Sequence, residues 1–309
     1  MKDNISDEEL DQSFNAGTPM RDSGVLDRHW KPLKDKPEWE KKPKPRDFII
    51  NDLIVSGKVA MLAGHGGRGK TWALTQLAIS VATGRPWFDH EPYRVNKKGK
   101  VLLALGEEDE EELHRRIYNV RKALDLTSQQ NEDLINNIIA IPLAGTQVTL
   151  LDGENYTDFY KDLESRTVND QLRLVILDPL SRFAASETET DNKAATTFIT
   201  ALERLTRGAS KPAVVIAHHE RKPNSDKNSS QFGVRGSSGL VDGVRWVGRL
   251  GPAEDPTDLS LVKFSVVKTN YTGHPPPLEL ERREGTGGCL FPRQAAGPGR
   301  LGVKRYDRS

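Results

Sequence analysis

One glycine-rich segment, residues 64–71, has residue types and spacing that predict phosphate chemistry. It reads Gly-His-Gly-Gly-Arg-Gly-Lys-Thr, which matches the pattern G-x-x-x-x-G-K-S/T. Glycines allow the backbone to wrap around phosphates with its N–H groups pointing inward. The lysine would reach the β- and γ-phosphates of a nucleotide, and the threonine hydroxyl would ligate Mg²⁺. The segment therefore predicts ATP and Mg²⁺ as cofactors, with contacts from Gly64, Gly66, Gly67, Arg68, Gly69, Lys70, Thr71 and Trp72.

A carboxylate at the end of another apolar segment is the expected metal partner of this loop. Residues 173–178 read Arg-Leu-Val-Ile-Leu-Asp, which indicates a buried strand ending in Asp178. Downstream of a phosphate loop, such a strand is typical of a Walker B motif, whose aspartate holds Mg²⁺. Thr71 and Asp178 are therefore the candidate metal-site residues.

The general base has to come from elsewhere, because Asp178 is followed by Pro179 and not by a glutamate. The apolar segment 101–105 is followed by Gly-Glu-Glu-Asp, and the carboxyl ends of parallel strands face the ligand crevice. We expect Glu107 to activate the attacking water. The alternative interpretation is an acidic first turn of a helix, which describes residues 108–112.

Two adjacent histidines, His218 and His219, follow the apolar segment 213–217. At the end of a strand they would lie at the same crevice, where a histidine can contact the γ-phosphate and report its loss. We expect at least one of them to be functional. A zinc site is not expected, because further ligands are missing nearby and the chain has a single cysteine.

Short apolar segments alternate with helical patterns along most of the chain, and this alternation predicts how these residues are positioned. Because each predicted strand is apolar throughout, the pattern indicates an α/β fold with a mostly parallel, twisted sheet and helices on both faces. Residues 261–266 alternate in polarity and predict an edge strand or a hairpin. Strands are predicted at 58–63, 101–105, 138–141, 172–177 and 213–217, and helices at 71–83, 109–123 and from an Asn192 cap to about 207.

The ends of the chain differ in composition from its middle. Residues 1–46 are rich in charges and prolines, which predicts a flexible arm. Two interpretations stay open: a disordered leader, or an arm that docks on a neighbouring subunit through Trp30 and Trp39. Residues 293–309 are predicted to form a flexible tail. The predicted core is therefore 47–292.

Composition narrows the class of protein. The 309 residues have a formal net charge of +1, which argues against a bulk polyanion binder but leaves room for a local basic site. No apolar segment is long enough for a membrane-spanning helix, so no membrane partner is expected. A single cysteine fits a reducing compartment, and we expect a cytoplasmic protein.

Further segments accompany these motifs in a characteristic order. Residues 235–246 read R-G-S-S-G-L-V-D-G-V-R-W, residues 267–271 read V-K-T-N-Y, and residues 287–290 read G-G-C-L. With the phosphate loop, the two carboxylate strand ends and the double histidine, roughly 47–292 resembles the RepA-type hexameric replicative DNA helicases of broad-host-range plasmids. The double histidine followed by the 235–246 segment is the more specific part, since a phosphate loop alone occurs in many families.

The resemblance implies a RecA-like ATPase core and roles for individual residues. It implies Glu107 as the catalytic carboxylate, His219 as the likelier γ-phosphate sensor, and Arg245 as an arginine finger on the neighbouring subunit's ATP. Lys268 would belong to the same contact between subunits. The Glu-Asp pair common in the family is Glu-Glu here, at residues 107–108.

The residues around Arg245 permit two interpretations. If 238–246 is a helix, Leu240 and Val244 share its apolar face and Arg245 projects away from its own core. The alternative is an ordinary surface ion pair with Asp242, three residues earlier.

Two loops are candidates for contact with nucleic acid, because RecA-like rings face their central channel with the loops after the Walker B strand and after the next strand. The first loop, 182–191, offers Arg182 among acidic residues. The second, 220–236, is either a plain solvated loop or a contact for single-stranded DNA through phosphates. Its candidate DNA-binding residues are Arg221, Lys222, Lys227 and Arg235, with Phe232 able to stack on a base.

Taken together, these features predict a homo-oligomeric, hexameric Mg-ATPase that translocates on single-stranded DNA. Its activity would be duplex unwinding during replication of a plasmid, phage or integrated element. Two alternatives remain open: a RecA-like ATPase of recombination or repair that forms filaments, and an ATP-gated regulatory or scaffold protein without unwinding activity.

Overall fold

A computed structural model describes residues 30–220, 238–254, 257–258 and 260–293 of the chain. Nine strands within these residues form one large sheet. They are β3 (Val59–Gly64), β4 (Val101–Leu105), β5 (Ile138–Pro142), β8 (Leu174–Asp178), β9 (Ala213–His219), β10 (Trp246–Pro252), β11 (Leu261–Thr269), β12 (Leu278–Arg282) and β13 (Leu290–Pro292). Their order across the sheet is β13-β12-β11-β10-β3-β9-β8-β4-β5. Two small two-stranded sheets pair β1 (Phe48–Ile50) with β2 (Ile54–Val55) and β6 (Leu151–Asp152) with β7 (Asn155–Tyr156).

The large sheet has a parallel part and an antiparallel part. Neighbouring strands run parallel from β5 to β10, and the pairs β10–β11, β11–β12 and β12–β13 are antiparallel. The predicted α/β fold with a mostly parallel sheet is confirmed. Segment 261–266 lies in β11, which has a partner on each side, so its prediction as an edge strand was wrong and its prediction as a hairpin was right.

Helices cover both faces of the sheet. They are α1 (Lys70–Thr83), α2 (Glu110–Ala123), α3 (Ser128–Asn137), α4 (Asp158–Asn169), α5 (Leu180–Phe183), α6 (Asn192–Leu205) and α7 (Ser238–Gly243). Alternate residues of β3 belong to different apolar cores, because successive side chains of a strand point to opposite faces. Ala60 and Leu62 pack in the core that contains α1, whereas Met61 packs with α4 and α6. The continuous apolar segments of the sequence are explained by this two-sided burial.

Local capping explains where most helices begin. The side chain of Asp109 accepts a hydrogen bond from Glu112 N at the start of α2. At the start of α6 the capping residue is Asp191, whose side chain accepts from Ala194 N, and not Asn192 as expected from the sequence. A shift of one residue arises readily here because Asp and Asn cap helices equally well.

The segment around Arg245 differs from its prediction. Helix α7 ends at Gly243, and β10 already begins at Trp246. The argument that Arg245 lies on a helical face was therefore wrong, because this residue lies in the short connection between the helix and the strand. Gly243 packs closely on Ile199 of α6, where a Cβ atom would approach within 2.9 Å of the isoleucine side chain.

The described part of the N-terminal segment has little regular structure. It consists of two short 3₁₀ turns, Leu33–Asp35 and Pro37–Glu40, before β1. Trp30 and Trp39 are 79% and 63% exposed. The division into arm, core and tail stays a prediction, since residues 1–29 and 294–309 lie outside the described residues. Among the residues described, no helix is long and apolar enough to cross a membrane.

Candidate active site

The parallel strands bring the predicted site residues to one edge of the sheet. In the pairing of β3 with β9, Gly64 lies opposite His219, and in the pairing of β4 with β8, Leu105 lies opposite Asp178. All four strands therefore end at the same carboxyl edge. This edge collects the phosphate loop, the double histidine, Asp178 and the carboxylate pair that follows β4, as expected for a ligand crevice of a parallel sheet.

Lys70 is the buried cation of this edge. It is the first residue of α1, and Gly69 before it has a positive φ of 90°, a conformation that suits glycine. The Lys70 ammonium donates hydrogen bonds to Gly64 O at 2.7 Å and His65 O at 3.2 Å, and lies 3.1 Å from His219 Nδ1. Burial lowers the pKa of Lys70 to about 8. Phosphate oxygens would compensate this charge better than neutral carbonyl groups do.

Asp178 has the environment of a metal ligand. Its side chain is almost fully buried, and this burial raises its pKa to about 6, although a hydrogen bond from Thr71 favours the charged form. Its Oδ2 atom is buried and has no hydrogen-bond partner among the residues described. An orphaned carboxylate oxygen beside the Thr71 hydroxyl fits Mg²⁺, which prefers oxygen ligands and is held largely by substrate phosphates.

Nucleotide phosphates would have to complete any metal coordination. Among the described residues, no group of three or more His, Cys, Asp or Glu side chains is placed to hold a metal ion. Bound Mg²⁺ would neutralise charge on the phosphate oxygens. Thr71 and Asp178 are the residues of this chain that would hold it.

The two candidate bases have different surroundings. Glu107 is half-exposed, and its charge influences the pKa values of Lys70, Asp178 and His219. Glu108 instead accepts a hydrogen bond from Arg116 at 2.6 Å. Glu107 also has a cation nearby, since Arg182 Nε lies 3.6 Å from its Oε1, but this contact is longer than the one that holds Glu108. The role of Glu107 as the base stays a prediction, which these contacts favour over Glu108.

The side chains of the two histidines lie in different surroundings. His218 is buried, and its Nδ1 lies 3.8 Å from Glu189 Oε1. His219 lines the cleft beside Lys70, and burial, together with the charge of Lys70, lowers the pKa of its imidazole. His219 is the histidine that lines the cleft, and its role as a γ-phosphate sensor stays a prediction, which this position favours. A nucleotide contact of His218 stays a prediction that its position does not favour.

A cleft of about 330 Å³ lies in front of the loop and extends beyond the residues that the sequence predicts. Gly67, Gly69, Lys70, Thr71, Trp72 and His219 line it as expected. Sequence reasoning assigned no site role to the others, which are Arg116, Arg282, Gly287 and Gly288. Spacing cannot reveal Arg282, since it lies more than two hundred residues from Lys70 on a strand with no motif of its own.

A buried ion pair behind the phosphate loop was also missed. Glu220 has a buried side chain and accepts two hydrogen bonds from Arg249, at 2.7 and 3.1 Å. In the loop, His65 Nδ1 lies 3.1 Å from Glu220 O, and His65 Nε2 lies 3.6 Å from Glu220 Oε2. The residue that follows the double histidine is thus tied to the loop and to β10.

Arg245 and Lys268 lie together at the other edge of the sheet. Arg245 N donates to Val59 O at the beginning of β3, whereas the phosphate loop follows the end of that strand. Lys268 pairs with Val247 near the beginning of β10, and its ammonium donates to Val241 O and Asp242 O. Burial and the charge of Arg245 lower the pKa of Lys268.

Of the predicted DNA-binding residues, Arg182 is the one described by the structure. Its Nε lies 3.6 Å from Glu107 Oε1, so its observed contact is with the candidate base. Its role toward DNA stays a prediction. The others, Arg221, Lys222, Lys227 and Arg235, lie outside the described residues, as does Phe232.

This arrangement of a phosphate loop, a buried aspartate and a glutamate at the carboxyl edge of a parallel sheet defines a RecA-like P-loop ATPase. Residues 31–225, more than half of the chain, match the protein family described as AAA domain, and the chain belongs to that family. The match begins before residue 47, where the sequence predicts the core to start. It does not separate plasmid RepA-type helicases from related ATPases.

Solved structures with a similar fold include helicase and recombinase proteins. The RadB recombinase has a TM-score of 0.51 over 77% of this chain and 92% of its own. A DnaB-like replicative helicase, in a study of its interactions with primase, has a TM-score of 0.53 over 88% and 68%. Another solved ATPase domain has a TM-score of 0.53 over 88% of this chain and 99% of its own. Each is 14% identical to this chain, so these similarities show the shared fold alone.

Proposed function

We propose that this protein is a ring-forming, ATP-dependent replicative DNA helicase that translocates on single-stranded DNA and hydrolyses Mg-ATP at subunit interfaces. The observation that carries this proposal is the position of Arg245 and Lys268, at the edge of the sheet opposite the phosphate loop of their own chain. A pair of cations at this position can act on a nucleotide only across an interface. The function implies a cytoplasmic homo-oligomer, and we propose a hexamer.

The distance between the two edges supports action between subunits. From Val59, which accepts the hydrogen bond of Arg245 N, to Gly64 there are five residue steps along β3. At about 3.3 Å per step this separates the two strand ends by roughly 16 Å, more than an arginine side chain spans. A guanidinium is always charged and bridges phosphate oxygens, which suits the charge that develops during phosphoryl transfer.

Within one subunit, the described residues supply the remaining parts of ATP hydrolysis. Lys70 and the loop N–H groups bind the phosphates, and Thr71 and Asp178 hold Mg²⁺. Glu107 accepts a proton from the attacking water, and His219 senses the γ-phosphate through its position beside Lys70. In a ring ATPase whose subunits hydrolyse ATP one after another, each site is expected to contain these parts and to receive its arginine finger from the neighbouring subunit.

Subunit mixing tests the proposal directly. Lys70→Ala subunits lose their own site but keep the finger, and Arg245→Ala subunits keep the site but lose the finger. Each variant alone should be nearly inactive, because arginine fingers contribute about 10³–10⁵-fold in rate. Mixed and reassembled, some interfaces join an intact site to an intact finger, and part of the ATPase activity should return.

The control for this experiment is the mass of the mixed assembly, which shows that both kinds of subunit are present. If no activity returned in a confirmed mixture, Arg245 would act within its own chain or only in folding. Unwinding of a forked duplex by the wild-type protein then tests the helicase part of the proposal separately from the ATPase part.

A RecA-like ATPase of recombination is the second candidate, favoured by the similarity of the fold to the RadB recombinase. It would use the same site at an interface, so subunit mixing does not distinguish the two. Electron micrographs with an ATP analogue and single-stranded DNA do, since a helicase forms closed rings and a recombinase forms filaments. Filaments without fork unwinding would favour this second candidate.

A further inference from the structure

The antiparallel part of the sheet brings a second arginine to the phosphate loop. Strand β12 runs antiparallel to β11, which runs antiparallel to β10, so β12 points in the same direction as β3. Arg282 is the last residue of β12 and therefore lies at the carboxyl edge of the sheet, as the loop does. This edge is the opposite of the one that carries Arg245.

Buried hydrogen bonds hold this region against the nucleotide helix α1. The side-chain amide of Gln76 donates to Leu290 O at 2.9 Å and accepts from Leu290 N at 2.9 Å, and both residues are fully buried. The turn between β12 and β13 lies on Trp72, where a Cβ atom on Gly288 would approach the indole ring within 2.6 Å. Arg282 is thus carried by an element with a defined position over α1.

The Arg282 guanidinium lies on the phosphate loop itself. Its Nη2 donates to Gly67 O at 2.9 Å and would lie 3.2 Å from a Cβ atom on Gly69. It lines the cleft together with Lys70 and His219. Burial, and the nearby charge of Arg68, lower the pKa of Arg282. A polyanion bound in the cleft would act in the opposite direction and favour the charged guanidinium.

We propose that Arg282 contacts the phosphate chain of the nucleotide held by its own subunit, as an arginine acting in cis beside Lys70. This inference rests on the proposed ATP-binding function and adds a binding residue to it. In this arrangement the β11–β13 extension completes the nucleotide site from the side opposite Glu107. The site then receives Arg282 from its own chain, in addition to Arg68 of the loop, and Arg245 from the neighbour.

Competition binding with the full-length chain tests this assignment. The affinities of Mg-ATP and of inorganic tripolyphosphate, which has no base or ribose, are measured by displacement of a fluorescent ATP analogue. Arg282→Ala should weaken both ligands by about ten- to a hundredfold, the scale of one charge-assisted hydrogen bond. Arg283→Ala is the matched control, because Arg283 pairs with Glu281 and lies over the Phe291 ring. It should bind both ligands as the wild-type chain does.

Two further variants distinguish a contact of the Arg282 charge with the phosphates from a structural role in which Arg282 only holds the loop through Gly67 O. Arg282→Gln keeps a donor for Gly67 O without the charge and should bind as weakly as Arg282→Ala. Arg282→Lys keeps the charge and should recover part of the affinity. Recovery by glutamine but not by lysine would overturn the proposal. These variants also decide the question if Arg282→Ala fails to fold.

The outcomes are distinct from those that bear on the ATPase itself. Weaker ATP binding with unchanged tripolyphosphate binding would place Arg282 on the base or ribose and overturn the phosphate contact. Unchanged binding of both ligands would leave Arg282 as a structural residue only, which also overturns it. If the wild-type chain bound neither ligand, the proposed ATP-binding function would fail first.

Discussion

At the residue scale, burial disfavours the charged forms of two residues of opposite charge in the site. Lys70 has its pKa lowered to about 8, and Asp178 has its pKa raised to about 6, in both cases mainly by burial. Each residue has its charged form disfavoured, and a bound Mg-nucleotide would supply an opposite charge to both.

Replacing the candidate base separates binding from chemistry. Glu107→Gln removes the carboxylate but keeps the shape of the side chain. It should bind Mg-ATP and hydrolyse it at least about a hundredfold more slowly, the usual scale of lost general-base catalysis. Steady-state ATPase rates and nucleotide affinity measured on the same preparation check this expectation.

The control for this prediction is the next residue. Glu108→Gln should have the smaller effect, because Glu108 is engaged by Arg116 at 2.6 Å. If Glu108→Gln were the slower enzyme, the base would be Glu108 and the ion pair with Arg116 would have to open during turnover.

At the scale of elements, the contact between α1 and β13 connects the parallel ATPase sheet to its antiparallel extension. Gln76 satisfies both backbone groups of Leu290 in a fully buried position. The same region packs Ile79 of α1 against Cys289 and Phe291 in a small apolar core with α2 and α3. This core includes Cys289, whose neighbour Leu290 pairs with Arg282 of β12.

Removing the Gln76 amide should therefore destabilise the protein. Gln76→Ala leaves a buried N–H and a buried C=O of Leu290 without partners, at about 1–3 kcal/mol for each orphaned group. The free energy of unfolding, measured by urea denaturation, should fall by about 2–6 kcal/mol for the two groups together. Gln129→Ala is the matched control, since Gln129 is exposed on α3. Equal losses in the two variants would mean that the buried pair contributes nothing specific.

At the scale of the whole molecule, the two edges of the sheet have different tasks. The carboxyl edge carries the phosphate loop, Glu107 and a cleft that reaches the β12–β13 turn, and the amino edge carries Arg245 and Lys268. In the proposed ring, each subunit would contribute part of a catalytic site at each of two surfaces. Assembly and hydrolysis are therefore expected to depend on each other.

Contact with DNA is predicted for the segment that follows Glu220. Arg221→Ala combined with Lys222→Ala should weaken binding of single-stranded DNA. It should also reduce the dependence of log affinity on log salt by about 0.7 for each phosphate that the protein no longer neutralises. ATPase activity without DNA should remain. Fluorescence anisotropy of a labelled oligonucleotide over a salt series measures both quantities.

A second arginine–lysine pair provides the control for the DNA prediction. Arg121 and Lys122 are adjacent and exposed near the end of α2. Replacing both with alanine removes the same charge from the chain and should leave DNA affinity and its salt dependence unchanged. Equal effects of the two double variants would indicate general charge attraction instead of a defined contact.

Local patterns in the sequence were sufficient to predict the parallel strands and the part of the site that lies at the phosphate loop and at Asp178. The apolar segments ending at Asp178 and before Gly106 are buried strands, because both faces of the sheet are covered by helices. Strand β4 has the predicted limits, whereas β8 begins two residues later than predicted and ends at Asp178. The phosphate loop required only its own eight residues and the helix that follows. These features depend on neighbours in the sequence, which is why spacing and polarity predicted them.

Features that depend on distant pairings were decided by the tertiary structure. Spacing placed Arg245 on a helix, but pairing of Trp246 with Ala60 draws the chain into β10 shortly after α7 ends. Arg282 reaches Gly67 through the antiparallel pairings that extend the sheet, and the sequence indicated a hairpin at 261–266 but not the pairing that brings Arg282 to the loop. The sequence alone predicted the phosphate loop and the carboxylates near it, and the structure added Arg282 to this set. The direction and order of the strands decided which edge of the sheet each residue occupies. The end of a strand can be assigned to one edge only after its neighbours in the sheet, and their directions, are known.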